Sequence, residues 1–362
     1  MKITFPYMGT SHITFKYLIE SLGHQAIVPP KPSKKTLSLG TQNSPEFSCL
    51  PFKILLGSYL EAIEQGAELI ITSGGKGPCR AGYYGILHQK LLEGMGHSTR
   101  ILIFESPFQN LFDFLGKIKS IIAPNKVGWL EFWGHYKRAW RKMQIIDETE
   151  ALTYEIRPLE CNKGETTKVF NRCLDLIDKA ETVAEMESAR EQSLRLLREI
   201  PVDNQRKPLK IGIIGEIYVV LEPFANLDIQ VTLGEMGVNT DRSIYLTDWT
   251  KENTAFNGQR DIKKFAQPYL NEMIGGHGIN SIGETVRYAQ RGFHGVVQLA
   301  PFTCIPEIVA KGILNKVSQD LNIPVMTVFL DEQTGKAGLQ TRLEAFVDLL
   351  NHKRQRMEDI AI

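Results

Sequence analysis

The sequence has no long apolar segment and no excess of charge of either sign. No uninterrupted apolar stretch reaches the roughly 18 residues of a transmembrane helix, and residues 1–6 do not resemble a secretory leader. The net charge is +1 over 362 residues, and the short basic run at 352–356 is typical of a solvated helix end. We therefore expect a cytoplasmic protein that binds neither a membrane nor a nucleic acid.

Nucleotide-binding fingerprints are also missing. The Gly-x-x-Gly segment at 212–215 is followed by neither a G-x-G-x-x-G pattern nor the lysine of a Walker motif. We expect that this chain binds no nucleotide.

Cysteine is scarce, with five residues spread along the chain. An odd number of cysteines in a reducing compartment argues against a disulfide framework and leaves core packing, metal binding or redox chemistry. The eight histidines include no pair at zinc-ligand spacing. The question is which of the cysteines are ligands.

Short apolar runs that alternate with helical patterns indicate an α/β fold. Strands are predicted at 2–6, 25–28, 68–72, 100–104, 210–214, 242–246, 295–299 and 324–330. Helices are predicted at 12–22, 49–65, 86–92, 169–199 and 339–353. The pattern predicts two Rossmann-like domains with parallel sheets, at 1–125 and 206–362, joined by a mainly helical connecting region at 126–205.

Two distant cysteines share their sequence surroundings. Cys49 and Cys304 each follow a phenylalanine and a hydroxyl residue, and a branched aliphatic residue and a proline come next. Proline suits the first turn of a helix, so each thiol is predicted at a helix N-terminus, where thiolate, the metal-binding form, is stabilised. Cys304 also follows a predicted strand, at the sheet edge where ligands bind. We interpret the two segments as related half-sites, one per domain, that face a shared cleft.

Cys79 lies in a glycine-rich loop between a predicted strand and a predicted helix. Gly74, Gly75 and Gly77 let the backbone approach a bulky group and donate N–H bonds to it, and Arg80 adds positive charge. A phosphate group and the sulfides of a metal cluster are both possible ligands of such a loop. We favour the cluster, because a phosphate site would not require the cysteine.

Five further residues are weighed by position. Cys173 lies in a helical pattern typical of a buried structural thiol, and Cys161 lacks the shared surroundings. Glu46 is either an acid–base group or a carboxylate that complements a helix dipole. His277, which glycines flank, is a candidate catalytic or substrate-contacting residue, and Glu216 at a strand end is a candidate for the cleft.

Three thiolates from separated loops are too few for a structural Cys₄ zinc site. They suit a 4Fe–4S cluster with one open iron, which can bind a substrate oxygen or a bridging ligand. The predicted metal ligands are therefore Cys49, Cys79 and Cys304.

The segments around these cysteines, together with several others along the chain, resemble the D-component side of the 2-hydroxyacyl-CoA dehydratases. They resemble more closely the stand-alone relatives of those enzymes, the activase-related CoA proteins and double-cubane cluster proteins. The resemblance extends over nearly the whole chain and is carried by residues 2–9, 44–53, 74–85, 215–218, 275–278, 300–307, 331–335 and 340–346.

The resemblance implies an oxygen-sensitive, three-cysteine cluster, a homodimer or heterodimer, and a separate ATP-hydrolysing activase that supplies a low-potential electron. In the dehydratases the electron enters a thioester carbonyl, and the resulting ketyl radical anion expels the neighbouring hydroxyl. In the double-cubane relatives two 4Fe–4S units, joined by a sulfide, reduce small molecules. Lys76 and Arg80 are candidates to attract CoA phosphates or acidic residues of the activase.

Three functions remain open at this stage. The chain is an iron–sulfur reductase or dehydratase of an acyl-CoA substrate, a double-cubane reductase of small molecules, or a non-catalytic electron relay or cluster scaffold. A joined cluster requires six thiolates, so it would need two chains or the recruitment of Cys161 and Cys173.

Overall fold

The computed structural model describes residues 1–75, 77–242, 244–254 and 260–361. In these residues the chain is an α/β protein with two four-stranded parallel sheets, which confirms the predicted fold class. It divides into two compact units: unit 1 comprises the described residues of Met1–Asp147, Ile177–Ala189 and Leu246–Gly258, and unit 2 those of Glu148–Leu176, Arg190–Tyr245 and Gln259–Ile362. No helix in the described part is long and apolar enough to cross a membrane.

The strands are short, as apolar runs bounded by turns predict. They are β1 (Lys2–Thr4), β2 (Gln25–Ala26), β3 (Leu69–Ser73), β4 (Arg100–Phe104), β5 (Leu209–Gly215), β6 (Val238–Arg242), β7 (Gly295–Pro301) and β8 (Val325–Leu330). The sheet of unit 1 has the order β2-β1-β3-β4, and the sheet of unit 2 has the order β6-β5-β7-β8. All of these pairings are parallel.

Sixteen α-helices lie in the described residues. They are α1 (Ser11–Ser21), α2 (Lys34–Asn43), α3 (Leu50–Glu64), α4 (Tyr84–Gly94), α5 (Leu111–Ile122), α6 (Trp129–Ile156), α7 (Glu165–Lys179), α8 (Val183–Arg198), α9 (Ile217–Leu221), α10 (Pro223–Asn226), α11 (Ile229–Glu235), α12 (Leu246–Thr254), α13 (Arg260–Ala266), α14 (Gly278–Gln290), α15 (Ile305–Asp320) and α16 (Lys336–Ala361). Short 3₁₀ helices span Arg80–Tyr83, Ala123–Asn125 and Arg157–Leu159.

Two details of the predicted elements are wrong. The strand expected at 242–246 lies earlier, as β6, where alternate residues of Val238–Arg242 are buried in the way that a strand in a sheet requires. The apolar residues Ile244 and Leu246, which suggested the strand, belong to the segment that leads into α12. The single helix expected at 169–199 is two helices, α7 and α8.

In unit 1, α2 and α3 cross with their backbones in contact. A Cβ atom on Gly40 would lie 1.7 Å from the carbonyl oxygen of Lys53, and one on Gly57 would lie 1.9 Å from that of Thr36. No side chain fits at either position, so the two glycines permit this close crossing. Residues 50–62 of α3 are all buried, so the helix that begins immediately after Cys49 is fixed along most of its length.

In unit 2, α14 and α15 pack closely together next to the sheet. The Tyr288 ring fills the space where a Cβ on Gly212 would be, 2.4 Å from its nearest ring atom. A Cβ on Gly278 would lie 2.7 Å from the carbonyl oxygen of Pro306, so the first turns of α14 and α15 touch. The core around them contains Ile214, Ala266, Ile279, Ile282, Val286, Tyr288, Val296, Ala310, Leu314, Val317 and Ile323.

A buried ion pair ties α6 to β6 in unit 2. The two terminal nitrogens of Arg242, Nη1 and Nη2, donate to the Glu150 carboxylate at 3.1 and 2.7 Å, and Tyr154 donates to the same carboxylate at 2.7 Å. The Arg242 side chain is 4% exposed. Because the charge is paired and hydrogen-bonded, it can be buried.

Candidate metal-binding residues

Cys49 and Cys304 both lie at helix N-termini, as predicted. Cys49 is the residue before the first turn of α3, and Cys304 holds the same position before α15; each first turn contains the predicted proline. Both side chains are buried. The first-turn amides of a helix have no partner within it and carry partial positive charge, so they favour a thiolate at this position.

The position of Cys304 relative to the sheet also agrees with the prediction. It follows β7, and β7 lies next to β5 in the sheet, although β6 comes between them in sequence. The strand order therefore reverses between β5 and β7, which in open α/β sheets is where ligands bind at the carboxyl edge. The loop after β5 begins against β7: the backbone N–H of Glu216 donates to the carbonyl oxygen of Leu299, a residue of that strand, at 3.1 Å.

Cys79 directly precedes the 3₁₀ helix Arg80–Tyr83, which leads into α4. The loop is folded on itself, because the Gly75 N–H donates to the Gly82 carbonyl and the Gly82 N–H to the Cys79 carbonyl, each at 3.3 Å. A Cβ on Gly82 would lie 2.0 Å from the Gly75 oxygen, so glycine is needed there. Cys79 is partly exposed.

The remaining positions of this loop differ in their surroundings. A Cβ on Gly74 would lie 2.5 Å from the Ile103 side chain, whereas a Cβ on Gly77 would meet no atom within 4 Å. Gly77 is thus on the open side of the loop. The prediction for Lys76 falls outside the described residues.

Arg80 joins the Cys79 loop to the segment before Cys49. Its guanidinium donates to the carbonyl oxygen of Phe47 at 3.1 Å. Glu46 lies in the same exposed turn as Phe47. In unit 1 the structure therefore brings the segments of two predicted ligands together, with Arg80 as the bridge between them.

Tyr84 was not found by sequence reasoning. It is the first residue of α4, and its hydroxyl is in hydrogen-bond contact with the Cys49 sulfur. Its ring packs edge-on against Phe52, with the ring centroids 5.1 Å apart. The contact joins residues 35 positions apart in the chain, so no local pattern in the sequence indicates it.

His277 is buried at the N-terminus of α14. Its side chain is 9% exposed, and Nδ1 has no hydrogen-bond partner. Burial lowers the pKa of His277 to about 4, so the imidazole is neutral at physiological pH. Asn280, in the first turn of the same helix, has an Oδ1 atom that is likewise buried without a partner. A neutral imidazole can donate or accept one hydrogen bond, but it is not an acid at this pH.

A buried carboxyl near Cys304 is a second feature that sequence reasoning missed. Glu307 has no exposed surface, and its carboxylate accepts hydrogen bonds from Ser281 at 3.0 Å and Gln298 at 2.8 Å. Burial raises the pKa of Glu307 to about 7, and the negative charge of Glu216 adds to the effect. Burial also raises the pKa of Glu216 to about 7.

The other two cysteines have different environments. Cys173 lies within α7 with no exposed surface, packs against Ile156 and Leu197, and donates to the Ser193 carbonyl oxygen at 3.6 Å. The predicted burial of Cys173 is confirmed by this packing. Cys161 is exposed and does not precede a helix.

The donor set suits a thiolate-bound cluster in its chemistry, because two buried thiols lie at helix N-termini and a third, partly exposed thiol lies in a glycine-rich loop. Among the residues that the structure describes, no three or more His, Cys, Asp and Glu side chains form a group that could hold a metal ion. No protein-family model matches the chain, and neither does any curated protein. The ligand assignment and the resemblance therefore stay predictions.

Proposed function

We propose that Cys49, Cys79 and Cys304 bind a 4Fe–4S cluster with one open iron, and that the chain accepts low-potential electrons from a separate ATP-dependent activase. The reaction we propose is reductive dehydration of an acyl substrate, like that of the 2-hydroxyacyl-CoA dehydratases. One observation supports this above the others: each of the three thiols directly precedes a helix, and neither Cys161 nor Cys173 does.

The position before a helix matters because thiolate, not thiol, binds iron. Amides and the helix dipole lower the free energy of the thiolate. A phosphate site would use the same amides without the cysteines. The repeated placement of a thiol there favours metal over phosphate.

When bound, the cluster supplies an electron at low potential and an open coordination position. The residues of unit 2 supply proton chemistry. Glu216 lies in the loop after β5, and a carboxyl whose pKa is about 7 is partly protonated at neutral pH, so it can give a proton to a leaving hydroxyl. His277, as a neutral imidazole, contacts a substrate oxygen rather than protonating it.

The test is iron and sulfide analysis of the chain purified without oxygen. We expect about four irons and four sulfides per chain for the single cluster, whereas about eight irons would favour the double cubane. An intact cluster that no acyl-CoA ester perturbs in electron paramagnetic resonance would favour an electron relay. Zinc, or no metal at all, would contradict the proposal.

Cysteine variants test the ligand set. We expect Cys304→Ala to lose the iron and Cys161→Ala, the matched control, to keep it. Equal loss from both variants would show that the assignment is wrong. Circular dichroism of each variant separates loss of metal from loss of fold.

A further inference from the structure

The hydroxyl of Tyr84 lies against the sulfur of Cys49 within unit 1. Cys49 precedes α3 and Tyr84 begins α4, so the contact joins the N-termini of two helices. It is a contact between a phenol hydroxyl and a sulfur, either of which can donate the hydrogen bond when the sulfur is a thiol.

Buried neighbours pack against the Tyr84 ring. Phe52 packs edge-on against it, and the His88 ring lies 5.9 Å away, centroid to centroid. His88 is itself held by a hydrogen bond between its Nε2 and the Phe52 carbonyl oxygen, at 3.1 Å. A Cβ on Gly85 would lie 2.6 Å from Ile103, so the start of α4 is pressed against β4. The hydroxyl is therefore placed by packed elements, not by a surface rotamer.

The direction of the hydrogen bond follows from the form of cysteine that binds a metal. A metal-bound cysteine is a thiolate, which has no proton and can only accept a hydrogen bond, so the phenol is the donor. The bond then runs from O–H to thiolate. A hydrogen bond to a charged acceptor is among the stronger ones in proteins.

We propose that Tyr84 is a positioning residue for Cys49: its hydroxyl donates to the sulfur, fixes the orientation of that side chain and stabilises negative charge on it. The inference rests on the proposed function in so far as the sulfur is a cluster ligand. Partners of this kind, one step removed from the metal, orient ligands and tune the metal that they hold. Hydrogen bonds to the ligand sulfurs stabilise the reduced form of a cluster, which carries one more negative charge.

The first experiment compares Tyr84→Phe with Tyr83→Phe in the iron-loaded chain. Tyr83, the preceding residue, is 59% exposed and provides a matched loss of one hydroxyl. We expect both variants to bind iron as the unsubstituted chain does. The reduction potential of the cluster in Tyr84→Phe should fall by about 59 mV. For a one-electron couple this corresponds to an about tenfold lower ratio of reduced to oxidised cluster at a given potential. A potential equal to that of the Tyr83 variant would overturn the inference.

A substitution that strengthens the donor should act in the opposite direction. We expect 3-fluorotyrosine at position 84, whose phenol is more acidic than that of tyrosine, to raise the potential. This variant keeps the hydroxyl and the ring packing, so it tests the hydrogen bond even if Tyr84→Phe folds poorly. A lowered or unchanged potential would count against the hydrogen bond.

The second experiment uses the metal-free full chain and does not depend on iron. Cys49 is alkylated at neutral pH, and its modification is followed by mass spectrometry of the peptide that contains it. Alkylation proceeds through the thiolate, and without the donor negative charge on the sulfur is less stabilised, so alkylation should be about threefold slower in Tyr84→Phe than in Tyr83→Phe. Equal rates would overturn the inference. If the unsubstituted chain binds no iron but the rates still differ, the proposed function fails and the inference about Tyr84 stands.

Discussion

Glu307 offers a quantitative test of the electrostatics near Cys304. Its carboxyl is fully buried and burial raises its pKa to about 7, whereas in the unfolded chain it ionises near its ordinary value of ~4.3. Between these two pH values the folded protein holds a proton that the unfolded chain has released. Stability from this group is therefore complete below the unfolded pKa and is lost as the pH rises through the folded one, by about 4 kcal/mol in total.

Glu307→Gln should remove this dependence. The carboxamide is neutral at every pH, can accept the hydrogen bond from Gln298 and can donate to Ser281, so it imitates the protonated acid. At pH 8 we expect the variant to be more stable than the unsubstituted chain by about 4 kcal/mol. At pH 4 the two should agree to within about 1 kcal/mol.

The assay has to report on unit 2. All four tryptophans lie in unit 1, so their fluorescence does not follow the unit that contains Glu307. Hydrogen exchange of the β7 amides, measured by mass spectrometry, does so, because every residue of β7 is buried in that sheet. Comparing the two proteins at the same pH cancels the intrinsic pH dependence of exchange. Glu358→Gln, which changes an exposed residue of α16, is the control.

Two results would refute the argument. If the protection of the β7 amides from exchange differs between the two proteins by the same amount at pH 4 and pH 8, Glu307 does not change its ionisation on folding over that range. If the variant is less protected at pH 8, the carboxylate is ionised and stabilising, and the burial argument has the wrong sign.

Two further predictions concern packing and a buried ion pair. Gly57→Ala forces α2 and α3 apart where they cross, so we expect it to lower the free energy of unfolding, measured by urea titration, by about 1–3 kcal/mol or more. The control is Gly94→Ala, whose added Cβ meets no atom within 4 Å and should change the free energy of unfolding little. Similar urea midpoints for the two variants would contradict the close crossing. Glu150→Gln leaves the Arg242 guanidinium buried without a carboxylate and should lower the free energy of unfolding by about 3–5 kcal/mol. The control is Glu148→Gln, which breaks a partly exposed ion pair on the same helix and should lower it by only about 0.2–1 kcal/mol. Equal losses would show that Arg242 is solvated.

The strands were predictable because they are short apolar runs between turn residues. The strand predicted at 100–104 matches β4, and the strand predicted at 295–299 is two residues shorter than β7. The strand at Val238–Arg242 was missed because only alternate residues are buried, and Asn239 and Asp241 interrupt the apolar signal. Here burial in the tertiary structure decides the element, not local composition.

The candidate site likewise contains residues that were predictable from the sequence and residues that were not. The prolines after Cys49 and Cys304 are local signals, so the helix N-termini were predictable from sequence. Tyr84 and Glu307 were not, because their importance comes from contacts with residues far away in the chain. The two cysteines share their sequence surroundings but not the backbone conformation before them. Thr303 has a φ of 68°, whereas Ser48, at the matching position, is not among the residues with positive φ.

Thr303 has a consequence for redesign of this protein. A β-branched residue in the left-handed region is strained, by roughly 1–3 kcal/mol, and such strain persists only where the surroundings impose it. A designer who maximises thermal stability would therefore choose glycine there, as the residue that adopts this conformation without penalty. The same change would free the backbone beside Cys304 to adopt other conformations, so at this position greater stability and a fixed sulfur are opposing goals.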